Sequence, residues 1–277
     1  MTRTDRRPDV LIETPMHVLR RFGIEMIDAN VENETAAMSM SLAGMRNPFN
    51  DTPTVGPLGV LVDAVSGFVN HFRHDTGEWT VSTELTLELS PDGSDRASAD
   101  DAAPVVALGR LLGPRGSTSL SFCTLTCDDV VIGGGTVRSF FVTPDQVVRD
   151  EPDETLHRTE STPLSELLAV ETGVASADIC VLRQRPDPFL DNAVGVVNGG
   201  VASAGLELAA SAVMNNGGRT MRTASVRVNF LRPFLAGDHS RYEASPLRIG
   251  RAMAVADAQA LAEDGRPALA ARVTAYR

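Results

Sequence analysis

The sequence predicts an α+β chain built twice, each half an antiparallel sheet curled round one long helix. Residues 58–72 and 197–214 are apolar or small on every side for the length of a helix, the pattern of a buried helix rather than a surface one. Each carries one acid near its centre, Asp63 and Glu207, which stand 144 positions apart. Around each helix, period-two alternation and turn signals mark five or six strands in the same order, so the chain reads as an internal duplication. One helix cannot cover so large a sheet from outside, which means the sheet must wrap it. Two such wrapped sheets can then abut into one continuous sheet.

Size and charge narrow the possible functions. A chain of 277 residues with 43% hydrophobic content has ample material for one large core or two ordinary ones. A net charge of -11 argues against non-specific binding to nucleic acid or to an anionic membrane face. It leaves room for local arginines that meet a phosphorylated ligand. Cys123, Cys127 and Cys180 form no paired framework, and the first two read as small residues on one strand face rather than a metal site. The five histidines show no ligand spacing, so no metal is expected. The basic start is followed by no hydrophobic run, so neither a secretory signal nor a membrane span is expected, and the cytoplasm is the default location.

The elements follow in order. Residues 14–19 read as a short helix with Pro15 at its first position. Residues 22–29 and 35–42 read as strands, and an Asn/Pro/Gly-rich loop over 43–56 leads into the Asp63 helix. Trp79–Leu89 alternates, with Val81, Thr83, Leu85, Leu87 and Leu89 on one face, and ends in the turn Ser90-Pro91-Asp92-Gly93. The polar segment 94–103 reads as a flexible loop. Strands are expected over 105–112, 117–126 and 131–142. The acidic, proline-bearing stretch 144–161 reads as a linker between domains 1–143 and 162–277. The pattern then restarts: Thr162-Pro163-Leu164 echoes Thr14-Pro15-Met16, and a strand covers 177–183. A proline-rich loop, 185–197, leads into the Glu207 helix. Strands at 220–231, 240–247, 252–262 and 268–276 close the chain, the last two joined by the turn Glu263-Asp264-Gly265-Arg266.

The run from Asn192 through Asn198-Gly199-Gly200 to Glu207, then Val228-Asn229-Phe230-Leu231-Arg232-Pro233, then Arg248-Ile249-Gly250-Arg251, resembles the hot-dog-fold acyl-CoA thioesterases of the phenylacetyl-CoA (PaaI-like) type. The resemblance covers nearly all of 177–277. The first half matches through Gly56 to Gly67, with Asp63 inside, and through Val81 to Pro91. The whole chain thus resembles a double hot-dog protein, two such domains in one polypeptide. The family's turn histidine is replaced by Asn198 in the second half and falls near Thr54 in the first. The loop asparagine is Asn192; its first-half counterpart is Pro48, with Asn47 and Asn50 out of register. Gly56 stands where one of the paired glycines should be.

Thioester hydrolysis needs an activated water or nucleophile, an oxyanion donor and a slot for the acyl chain. A carboxylate in an apolar helix has a raised proton affinity, which suits a general base; direct attack through an anhydride is the other route. The Gly199-Gly200 turn opens a helix, and its free N–H groups and dipole favour a developing oxyanion. The resemblance implies that the acid of one half faces the turn of the other. Site one then pairs Asp63 with Asn192, Gly199 and Gly200. Site two pairs Glu207 with Thr54, Val55 and Gly56. Site one keeps every element but the histidine and is the expected working site. Thr223, and Ser82 or Thr83, are candidates to position water or the acid, and Asn198 and Gly56 to line the substrate. Coenzyme A enters only as part of the substrate, with no separate cofactor. Its phosphates are expected to meet Arg232, Arg248 and Arg251, next to Gly250, with Arg110 and Arg115 in the first half. Two alternatives stand beside acyl-CoA hydrolysis: a silent acyl-ligand binder, and a hydratase or dehydratase. The latter ranks last because none of His17, His71, His74, His157 or His239 stands in a catalytic loop. A homo-oligomer, a dimer of double hot-dogs or larger, is the expected assembly, since sheet packing makes such contacts readily.

Overall fold

Each half of the chain rolls a six-stranded antiparallel sheet round its own helix. The computed structural model describes residues 16–90, 92–143, 152–159 and 161–277. Thr14, Pro15 and Pro91, and half of the expected linker, lie outside the described residues. In chain order the first half comprises α1 (His17–Phe22), β1 (Glu25–Asn30), β2 (Thr35–Met40), α2 (Leu58–His71), β3 (Trp79–Leu89), α3 (Gly93–Ser98), β4 (Val105–Leu112), β5 (Thr118–Cys127) and β6 (Val130–Val142). The second comprises α4 (Leu164–Leu167), β7 (Val170–Ala175), β8 (Cys180–Gln184), α5 (Gly199–Asn215), β9 (Arg222–Phe230), β10 (Arg241–Ile249), β11 (Met253–Leu261) and β12 (Pro267–Tyr276). The twelve strands form one sheet in the order β1-β2-β4-β5-β6-β3-β9-β12-β11-β10-β8-β7. The halves join through β3 and β9, which pair antiparallel from Glu84 opposite Asn229 to Glu88 opposite Ser225.

The alternation that marked the strands is the alternation of burial. Along β5, which packs on α2, every second side chain from Ser119 through Cys127 is buried. Cys123 and Cys127 are both buried and free, on that inner face. On α5 every residue from Gly200 to Met214 is buried, as an all-apolar helix requires. Small residues set how closely α2 and α5 pack. A Cβ on Gly200 would stand 2.5 Å from the Cα of Val60, and one on Gly59 would stand 3.3 Å from the Cβ of Ser203. The two backbones therefore nearly touch at the N-terminal turns of both helices. Each helix start is thereby carried up to the other helix's acid.

Three expectations are corrected. Segment 94–103 is not wholly a loop: α3 buries Ser94 and Ala97, packs against β6 and β9, and ties Asp95 to Arg222. Strand β7 was missed, because it is an edge strand whose side chains are mostly exposed and carry no alternating apolar signal. In β3 the simple alternation breaks, because a bulge leaves Thr83 unpaired between Ser82 opposite Ser139 and Glu84 opposite Arg138. Beyond the bulge Leu85 and Leu87 keep the expected buried face, and before it Ser82 turns to Asp63. A matching bulge in β9 leaves Ala224 unpaired and turns Thr223 inward. The described piece of the acidic stretch also does more than span. Glu154 grips the buried guanidinium of Arg21 at 2.8 and 2.6 Å, and Arg21 also reaches Asp187 of the second half at 2.9 Å. Among the described residues no helix is long and apolar enough to cross a membrane.

Candidate active site

Asp63 sits in the middle of α2 and is only 7% exposed. Its Oδ1 accepts the Ser82 hydroxyl at 2.7 Å, and its Oδ2 accepts the Gly200 N–H of the other half at 2.9 Å. Burial raises its proton affinity above the ordinary carboxylate range, while the Ser82 and Gly200 bonds pull the other way. Asn198 caps α5, its Oδ1 accepting the N–H groups of Gly200 at 3.0 Å and Val201 at 3.2 Å. The Gly200 N–H is thus shared between Asn198 and Asp63, and does not point into free space. Gly199, the first helical residue, has no carbonyl four residues back within the helix, and its N–H is the donor left over. A Cβ on Gly199 would lie 3.0 Å from Asp63 Oδ2, so this donor and the acid share one small volume. Of the two glycines expected to donate, Gly199 is the one whose N–H has no acceptor among the described residues.

Glu207 is 2% exposed and occupies the equivalent point of α5. Its Oε1 accepts the Thr223 hydroxyl at 2.5 Å and its Oε2 accepts the Thr54 hydroxyl at 3.0 Å. The Gly56 N–H goes to Thr54 Oγ1 at 3.2 Å, so the hydroxyl of Thr54 stands between that turn and the acid. Burial raises the Glu207 proton affinity, opposed by its Thr223, Thr54 and Ser211 bonds. Both acids therefore face the opposite half's helix-opening turn, and each is held by a strand hydroxyl beside a bulge.

The two sites differ in the space around them. A cavity of about 580 Å³ opens on Asp63 and is lined by Ser82, Thr83, Asn192, Asn198, Gly199, Phe230 and Arg232, among others; Glu207, Thr54, Gly56 and Thr223 do not line it. Along α2 its wall is the stripe Val60, Asp63, Ala64, Gly67, Phe68 and His71. Nothing lies within 4 Å of where a Gly67 Cβ would be. The equivalent place on α5 holds Ser211, which accepts the Asn47 Nδ2–H at 2.9 Å, while the same Nδ2 donates to Leu208 O at 2.9 Å. Asn47 and Ser211 thus close beside Glu207 the space that stays open beside Asp63.

The remaining candidates divide. Asn192 lines the cavity, and its Oδ1 accepts the N–H groups of Val194 and Val196, shaping the loop before α5. Arg232 is exposed at the cavity edge, beside Leu231. Arg248, Gly250 and Arg251 are not brought to it. They sit at the β10–β11 turn, which lies level with Arg222 and Tyr276, at the far end of the sheet from Phe230. Arg115 is taken by Asp75 and Glu78, and Arg110 lies over Phe122. Two histidines passed over as catalytic, His17 and His71, stand in the cavity wall. Sequence held no sign of this, because the first lies on a short N-terminal helix and the second two turns beyond the acid.

The description "Thioesterase superfamily" fits residues 194–269, the heart of the second half. Among solved structures, the tesB protein of Mycobacterium avium subspecies paratuberculosis superposes with a TM-score of 0.61 at 14% identity, over 94% of this chain and 97% of that one. Acyl-CoA thioesterase II of Mycobacterium marinum gives 0.59 at 13% identity, over 94% and 96%. An acyl-ACP thioesterase of Bacteroides thetaiotaomicron gives 0.54 at 14% identity, over 90% and 99%. At these identities the likeness is one of fold, and it spans both halves. No curated protein sequence matches the chain. The paired helices and the single twelve-stranded sheet give this chain the double hot-dog fold, and within it residues 194–269 match the thioesterase superfamily.

Proposed function

We propose that the protein hydrolyses acyl thioesters, acyl-CoA in the first place, at one working site built across the two halves, 1–143 and 162–277. The observation that carries this is Asp63: a buried acid with raised proton affinity, held by Ser82, within reach of the free Gly199 N–H and open to an apolar cavity. In the deprotonated form Asp63 takes a proton from water as the water oxygen bonds to the thioester carbon. The carbonyl oxygen gains negative charge, and the Gly199 N–H at the positive end of α5 stabilises it. Collapse of the adduct breaks the C–S bond, and the leaving thiolate recovers the proton from Asp63. A direct attack by Asp63 would give an anhydride instead; both routes use the same groups. Arg232 at the cavity edge is the arginine best placed to meet a phosphorylated carrier.

Glu207, sealed by Thr54, Thr223 and the Asn47–Ser211 pair, is the relic of a second site and serves the fold. The hydratase reading is disfavoured, because Asp63 is hydrogen-bonded to a serine hydroxyl and a backbone N–H rather than to a histidine. A silent acyl binder stays as the second reading: Asn198 replaces the expected histidine and occupies the Gly200 N–H. The test is thiol release from a panel of acyl-CoAs, short aliphatic to long-chain and aromatic, by wild type, Asp63→Asn and Glu207→Gln. Loss confined to Asp63→Asn supports one working site, and equal partial losses mean two. If wild type binds the esters and cleaves none, the hydrolase reading falls to the silent binder.

A further inference from the structure

The two halves differ on the outer face of the sheet. Strands β2, β4, β5 and β6 lie side by side. In a chain with 36 acids these four strands hold none, and their only charges are Arg110 and Arg138. One row of their side chains is buried towards α2, so the other row faces out. The register sets Leu108 between Ala37 and Thr124, and Phe122 between Arg110 and Thr136. Leu108, Val131 and Phe140 are 54%, 60% and 47% exposed. The equivalent strands of the second half are built otherwise. β10, β11 and β12 point charges outward and pair them, Arg241 with Glu243 at 2.6 Å and Arg272 with Asp257 at 2.8 Å. That face is finished for water, and the face of β2, β4, β5 and β6 is not. We propose that a second copy of this chain docks on the outer face of β2, β4, β5 and β6, the two copies pairing by that same face.

Size, rim and charge select a second copy as the occupant. Four strands about 4.8 Å apart and about eight residues long present roughly 500 Å² on each copy. Two copies then bury about 1,000 Å², enough for a specific interface. Acids bound the face on both sides. Glu25 and Asp28 on β1 stand opposite Ser39 and Ala37, and Glu84 and Glu88 on β3 stand opposite Arg138 and Gly134. A centre poor in charge inside a charged rim is the anatomy of a protein interface. Arg110 lies over the Phe122 ring and has no acid partner among the described residues, and Glu25 and Asp28 have no cation there. One face thus carries unmatched charges of both signs. Pairing about a two-fold axis sets the same face against itself and offers each sign its opposite. An anionic partner would instead meet the rim acids and a net charge of -11.

The experiment is sedimentation equilibrium of the full chain from about 1 to 100 μM, in the range where weak and moderate dimers dissociate. Wild type is compared with Leu108→Asp in the proposed face, and with Leu247→Asp on β10, whose side chain is equally exposed at 54%. Neither leucine lines the cavity, so the outcome is independent of the hydrolase reading. Wild type is expected at twice the chain mass. Leu108→Asp, which sets an acid against its own copy in a desolvated centre, should weaken pairing by about a hundredfold or more. Leu247→Asp should pair as wild type does. Thr124→Arg, beside Leu108 in the same face, repeats the test should Leu108→Asp not fold. A wild type that is monomeric at the highest concentration overturns the proposal and leaves the face to another occupant. An assembly unchanged in Leu108→Asp and Thr124→Arg, or weakened as much by Leu247→Asp, overturns it too.

Discussion

At the scale of single residues, the two acids are placed alike and are expected to behave differently. Asp63→Asn removes the proton acceptor and is expected to cut kcat/KM by about 10²–10⁴-fold, measured by thiol release. Glu207→Gln keeps hydrogen-bonding atoms facing Thr54 and Thr223 and should leave activity near wild type. Its effect belongs to stability. The folded state raises the Glu207 proton affinity, so the folded state binds the extra proton. Wild-type stability is then lost as pH rises from the unfolded carboxylate value of about 4.3 towards the folded one, and the glutamine variant escapes this. The gap between their urea midpoints should widen in favour of Glu207→Gln over that window. A constant gap would show that Glu207 does not titrate on unfolding. Ser82→Ala tests how Asp63 is tuned. The Ser82 bond lowers the Asp63 proton affinity, so its loss must move the acid limb of the pH–rate profile upward. A fall of about tenfold at neutral pH should accompany the move.

At the scale of elements, the crossing of α2 and α5 sets the site. Gly200→Ala would drive a Cβ into the Val60 backbone, which cannot yield as a side chain can. The expected cost is about 1–3 kcal/mol in urea titration, with activity lost because Gly199 and Asp63 move apart. Gly67 is the opposite case. Its Cβ position is empty and its helix would gain from a side chain, so Gly67→Ala should stabilise α2 by about 0.8–1 kcal/mol. Gly67→Leu should fill the slot and shift the acyl preference to shorter chains, read as the change in kcat/KM across a chain-length series. An unshifted series would place the acyl chain elsewhere.

At the scale of the molecule, neither half is self-sufficient. β3 and β9 close one sheet, α2 and α5 bury each other's faces, and Arg21 of the first half is buried against Asp187 of the second. A single cooperative unfolding transition is expected for the whole chain, the same by fluorescence of Trp79 and by circular dichroism. Residues 1–143 or 162–277 expressed alone should aggregate or pair with copies of themselves, because each exposes the apolar face meant for the other. Two well-separated transitions would show the halves to be independent.

The duplication, the two helices and most strand boundaries were legible in sequence, because burial writes itself as period: all-apolar for α5, alternating for β5 and β12. The pairing of each acid with the opposite turn came from the resemblance to the hot-dog thioesterases and not from any spacing, and the Gly200 N–H on Asp63 and the Gly56 turn beside Glu207 agree with it. What failed was local. β7 carries no pattern because an edge strand buries little, and α3 is helical through packing that its polar sequence does not announce. A bulge at Thr83 makes Ser82, of the two expected hydroxyls, the one that reaches Asp63, since one extra residue flips the side chains before it. Only the tertiary structure could show that Asn47 and Ser211 close one site while Gly67 leaves the other open. Those facts depend on which side chains from distant segments meet, and no spacing along the chain encodes a meeting across 164 residues.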